Sequence, residues 1–260
     1  MTAGYFTDES MLRRIHRERA VALSGPRALL MQAAHPVAVR GLLAHSSAID
    51  EPYERLARTA EVMSTVGFGS RADADRVTSR VRGLHRRYKV DKPDLLLWVL
   101  FTLVDSGLVV YQLYVDKLSD EEQAGYWEDY KQVGRLFGLR DRDMPDTLGD
   151  LREYKREMLE GDVLHVSDWA RRRAREIVLE PPVPWLARPL VETVNFVTIA
   201  LLPDRIRREY GFSALPPAAV RRALVAGGAE YVKRAVIPLM PENLRLVPAA
   251  RRAAAQRVSG

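Results

Sequence analysis

Apolar residues recur at helical spacing along nearly the whole chain, and no useful length alternates as a strand would. Residues 8–23 predict a first helix, with Met11, Ile15 and Leu23 inward and basic residues between them. Ser24-Gly25-Pro26 breaks it, and Pro26 suits the first turn of the next helix, with Ser24 or Gly25 as cap. That next helix, RALLMQAAHPVAVRGLLAH, is apolar apart from Arg27, Gln32, His35 and Arg40, so burial on most sides is expected. Pro36 must kink it directly after His35. His45, Ser46, Ser47 and Asp50-Glu51-Pro52 make a polar connection. A helix around Arg55 then presents Leu56, Ala60 and Met63 to the core and ends at Gly67-Phe68-Gly69-Ser70. Ser70, with Asp73 three residues on, reads as the N-cap of a further helix.

Two stretches are more apolar than the rest. Leu95 to Val115 carries one charge, Asp105, and is long enough to cross a bilayer. Val183 to Leu202 is the second, broken by Pro184 and Pro189. The remaining chain is strongly charged and a mid-membrane aspartate is costly, so both are read as buried bundle helices rather than spans. Asp105 then needs a partner, and an arginine from the Arg55 helix is the expected one. Further helices are predicted over 119–137, opened by Ser119 with Glu122 three on, over 146–161, 167–179 and 218–236. Pro181, Pro182 and Pro184 form a stiff connector, and Phe212 to Pro217 a loop. The expectation is an all-α fold: one large multi-helix bundle over residues 1–240 around two very apolar central helices, followed by a basic C-terminal tail, 241–260.

The 260 residues include no cysteine, which removes disulfides, thiolate metal sites, cysteine nucleophiles, iron–sulfur clusters and covalent haem attachment. The N-terminus, MTAGYFTDES, lacks the charged-then-apolar signal pattern, and a cytoplasmic location is the expectation. The net charge of +6 is spread along the chain, with arginine far outnumbering lysine. The densest run, Arg171 to Arg175, reads as a solvated helix face, so no nucleic-acid partner is expected, although a basic helical DNA-binding protein is a minor alternative. No GxSxG, HExxH, GxxxxGK[ST] or GxGxxG pattern occurs. Asp162-x-x-His165 occurs once, whereas a carboxylate di-iron bundle needs such pairs twice, with glutamate.

One histidine is awkwardly placed. From Ala72 onward, Ala74, Val77, Val81, Leu84 and Tyr88 define one helix face, and His85 shares it with Val81 and Tyr88. The outer face carries Arg76, Arg80, Arg86 and Arg87. An imidazole among aliphatics needs a partner: a side chain, a backbone carbonyl or a metal. Upstream, Arg55 and Thr59 stand one helical turn apart with Arg58 beside them, a pair able to hold an anion or a polarised oxygen species, or simply to pair with Glu51 or Glu54. His35, at the kink, reads equally as a pocket residue or as a capping or core residue. With five histidines and no cysteines, the most economical metal site is a cofactor held by one protein ligand; non-covalent haem meets that description.

RLART, GFGS and RVRGLH, preceded by ALLMQAAHP and followed by LWVLFTLVDSGLVVY, resemble the family that includes the latex-clearing rubber oxygenases and the fungal MpaB-type oxygenases. The likeness covers about 25–161 and continues more weakly to the end. It implies an all-α haem b protein that oxidises a hydrophobic, isoprenoid or prenylated substrate with O2. His85 would be the iron ligand, with Val81, Tyr88 and Arg58 against the cofactor. Arg55 and Thr59 would line the opposite side and steady negative charge developing on dioxygen, with His35 in support. Two positions depart from the family. Arg58 stands where the rubber-cleaving branch has a lysine able to approach the iron, and arginine is a poor ligand. Leu100 stands where many relatives have the histidine of WVH. Haem or lipid binding without turnover is therefore the alternative function. Peripheral membrane contact is compatible with a hydrophobic substrate.

Overall fold

The structure, a computed structural model, describes residues 4–43, 52–179, 185–186, 188–212 and 218–258. Among them there is no strand; one isolated bridge pairs Glu18 with Leu246. The helices are α1 (Met11–His16), α2 (Ser24–Ala33), α3 (Pro36–Leu43), α4 (Pro52–Phe68), α5 (Arg71–Arg87), α6 (Pro93–Tyr114) and α7 (Asp120–Phe137). They continue as α8 (Leu148–Glu160), α9 (Asp168–Leu179), α10 (Arg188–Ala200), α11 (Asp204–Glu209), α12 (Ala218–Tyr231), α13 (Glu242–Arg245) and α14 (Pro248–Val258). The expected connection from His45 to Glu51, the prolines at 181, 182 and 184 and the loop from 213 to 217 lie outside the described residues.

α6 is the centre. Pro93 opens it, where a missing N–H costs nothing, and Asp94 complements the positive end of its dipole. Trp98, Phe101, Val104 and Val110 are buried along it. It is the one described helix long and apolar enough to cross a membrane, and 72% of its most apolar window is buried inside the protein, as a central helix requires. α2 packs most extensively against it, and α7 and the 3₁₀ turn Arg19–Leu23 cover other sides.

Local chemistry places the surrounding helices. Ser119 and Glu122 cap α7 reciprocally, as do Thr147 and Asp150 for α8. Ser70 Oγ accepts the Asp73 N–H at 3.2 Å, so α5 starts where its cap predicts. α7 ends at Gly138, whose φ of 103° is open to glycine at little cost.

Four expectations are corrected. The first helix is not continuous: it stops at His16, because Glu18 turns extended to bridge Leu246 and the chain resumes as the 3₁₀ turn. Ser24-Gly25 is no break; α2 begins at Ser24 with Pro26 in its first turn and no side-chain cap. Ala60 faces solvent, and Met63, Val66 and Gly67 supply the buried side of α4. The second apolar helix is short. α10 starts at Arg188 because Pro189 is tolerated only in a first turn, and its apolar part is Val191–Ala200. The bundle thus has one very apolar central helix.

Asp105 also has other partners than expected. Its carboxylate meets Arg27 of α2 at 2.7 Å and Lys155 of α8 at 2.6 Å. Burial would raise its pKa, but the two cations and their hydrogen bonds outweigh burial and hold it below the ordinary carboxylate value. Arg27 further donates to Ser106 Oγ and the Leu201 carbonyl, tying α2, α6 and the end of α10 together.

Beyond residue 240 the chain folds back. Arg245 grips Glu18 through two 2.8 Å hydrogen bonds, Val247 N–H donates to the Arg17 carbonyl, and α14 packs on α4.

Candidate functional site

A cavity of about 760 Å³ lies between α4, α5, α6 and α7. That volume falls within the roughly 300–1,000 Å³ of pockets that enclose small ligands. Its α6 wall is Leu95, Leu96, Val99, Leu100 and Leu103; its α7 wall is Val133, Gly134 and Phe137. The α5 wall is the face singled out by its periodicity: Val77, Val81, Leu84, His85 and Tyr88. Only Ala74 of that apolar series is fully buried; Val77, Val81 and Tyr88 are half-buried and Leu84 is exposed where the face meets the cavity.

His85 stands in the last turn of α5, half-buried, with its Nδ1 enclosed by protein. α4 contributes Arg58, Thr59, Glu61, Val62, Met63 and Thr65. Arg58, Thr59 and Glu61 are exposed, as is Arg80 of α5, and this places the cavity's opening along the α4–α5 edge. A cationic rim at an apolar cavity suits a ligand with carboxylate tails on a hydrophobic body.

The predicted site residues divide into three groups. His85, Val81, Tyr88, Arg58 and Thr59 all line the one cavity. His35 does not: it is buried in the break between α2 and α3, where its Nδ1 accepts the Val37 N–H at 3.2 Å and caps α3. With that nitrogen accepting, the neutral ring carries its proton on Nε2. The side chain of Arg55 lies outside the described residues. Leu100, 4% exposed, forms part of the wall.

Gln32 also lines the cavity, from α2. The signal for it in the sequence is an amide in an otherwise apolar helix, which a buried helix keeps only where the amide meets a partner or a ligand. His165 and Asp162, by contrast, are exposed and outside the cavity.

No group of three or more histidine, cysteine, aspartate or glutamate side chains able to hold a metal ion occurs among the described residues. A cofactor that brings its own equatorial ligands needs only one protein donor, and His85 is the histidine on the cavity wall. The residues present therefore fit a haem: one imidazole, apolar walls, and arginines at the rim.

Comparison with known proteins gives one match. The family model described as ER-bound oxygenase mpaB/B'/rubber oxygenase, catalytic domain, covers residues 13–235, which include every helix from α2 to α12 and the whole cavity wall. No curated protein and no solved structure matches the chain. The matched span takes in most of the chain, and the protein belongs to this family of oxygenase catalytic domains.

Proposed function

We infer that this protein is a haem b-dependent oxygenase acting with O2 on a hydrophobic substrate of the isoprenoid or prenylated class. The observation that carries the reading is His85 on the wall of a mostly apolar cavity of about 760 Å³. His85 would hold the cofactor, with Val81 and Tyr88 against it and its carboxylates toward the rim that carries Arg58 and Arg80. When bound, haem supplies the redox chemistry that lets dioxygen react with a double bond.

The chain's own residues do the rest. The leucines and valines of α6 and α5 exclude water and receive an apolar chain. Thr59 stands on the helix that edges the opening, where its hydroxyl would steady developing negative charge, and Arg55, one turn before it in the sequence, would add a cation. Cofactor carriage is tested by a visible absorption spectrum of protein from haem-supplemented cells, before and after reduction. A Soret band lost in His85→Ala is expected; colourless wild type, or normal haem loading in the variant, refutes the assignment.

Leu100 favours a second reading, haem or lipid binding without turnover, since an aliphatic side chain offers no proton to the cavity. O2 consumption across a panel of prenyl and polyketide compounds separates the two.

A further inference from the structure

The polar side chains that line the cavity are exposed or half-exposed, with Gln32 the buried one among the described residues at 8%. Its Nε2 lies 3.0 Å from Thr102 Oγ1, and Thr102, completely buried, donates its hydroxyl to the Val99 carbonyl at 2.7 Å. A hydroxyl has one proton. With it committed to Val99, the Thr102 oxygen only accepts, which decides the face of the amide: nitrogen toward Thr102, Oε1 away. Among the described residues nothing in the protein donates to Oε1, and that atom is not sealed in the packing. An amide acceptor is thus held in fixed orientation by a side chain that lines the cavity, whose facing α6 wall carries Val99 and Leu103.

We propose that Gln32 Oε1 is a substrate subsite which accepts the hydroxyl proton of an apolar ligand bearing one alcohol group, such as a prenyl alcohol. This rests on the reading that the cavity takes a hydrophobic substrate, and adds which end group it selects. A hydrocarbon leaves the acceptor unmet. A methyl ether has no proton to give. An ionised carboxylate brings only acceptors and is repelled. The amide cannot turn to serve an acceptor without giving up Thr102. Gln32 is therefore a specificity-determining residue, and Thr102 positions it.

The test is calorimetric binding of farnesol, farnesyl methyl ether and farnesoic acid to the full chain as purified. The alcohol is expected to bind about threefold to tenfold more tightly than the ether, the span of one neutral hydrogen bond. Gln32→Met, close in volume, should equalise alcohol and ether, because the acceptor that the ether leaves unmet is gone. Thr102→Val keeps Gln32 but releases its amide, and should also shrink the preference, which a residue acting only through bulk would not do. Equal wild-type affinity for alcohol and ether overturns the proposal even if neither variant folds. So does a preference for alcohol over ether retained in Gln32→Met. If none of the three probes binds, the hydrophobic-substrate reading falls as well; if all bind alike, only the role of Gln32 falls.

Discussion

Arg27 Nη2 stands 2.7 Å from Asp105 Oδ2 in the interior, joining residues 78 positions apart on α2 and α6. Both are nearly removed from solvent, and Lys155 completes the set from the partly exposed side. Breaking a buried pair costs more than never forming it, because the surviving charge keeps its desolvation penalty.

Arg27→Met should accordingly destabilise the fold by about 3–5 kcal/mol. Lys155→Met should cost only about 1 kcal/mol, since Lys155 is one-third exposed. Replacing Arg27 and Asp105 together by apolar residues should recover much of the first loss. Urea midpoints of the three variants check the order; equal losses for Arg27 and Lys155 would contradict it.

A second prediction concerns pH. His16 Nε2 is enclosed by the Tyr126 and Tyr130 hydroxyls at 2.9 and 3.0 Å. Burial lowers its pKa from 6.5 to about 4. The unfolded chain then binds the extra proton first as pH falls, so His16 costs no stability above pH 6.5. Stability should drop between 6.5 and 4, and the loss levels off below, at no more than roughly 3 kcal/mol. Subtracting the pH profile of His16→Gln from that of the wild type should leave this window as the difference.

Gly107 makes the same cluster possible. A Cβ there would sit 2.5 Å from Tyr126 Oη. Tyr126 is fully buried and cannot swing away, so Gly107→Ala should overpack the α6–α7 contact by about 1–3 kcal/mol. Tyr126→Phe in the same chain removes the clashing oxygen, and the double variant should be the more stable of the two, as thermal unfolding would show.

The C-terminal segment offers a fourth. Glu18 is 2% exposed and its main cation is Arg245. Arg245→Met should cost about 3 kcal/mol or more by stranding that carboxylate, and should make the segment from 242 to 258 sensitive to limited proteolysis. Glu18→Gln in the same chain should restore most of the stability. Unchanged proteolysis would mean that the Arg245–Glu18 contact is not what holds this segment.

Some of this architecture is determined by the residues over short range. Helix starts at Ser70, Ser119 and Thr147 follow from side chains three residues from the groups they cap, and a four-residue interaction needs no knowledge of the fold. The apolar run of α6 identifies a central helix by itself, since no other surrounding tolerates it in a charged chain. The face of α5 that bears His85 is equally plain from periodicity, and it is the face that meets the cavity.

What lies opposite each face was decided only by tertiary packing. Spacing shows that Asp105 needs a cation, but Arg27, Lys155 and the arginines of α4 are chemically equivalent until the helices dock. His35 and Gln32 lie three residues apart on one apolar run; the break at Pro36 turns the first into a cap and leaves the second on the cavity wall. Local sequence specifies which groups need partners, because capping and periodicity act within a few residues. Which partners they obtain depends on contacts between residues far apart in the chain, and those exist only once the bundle has closed.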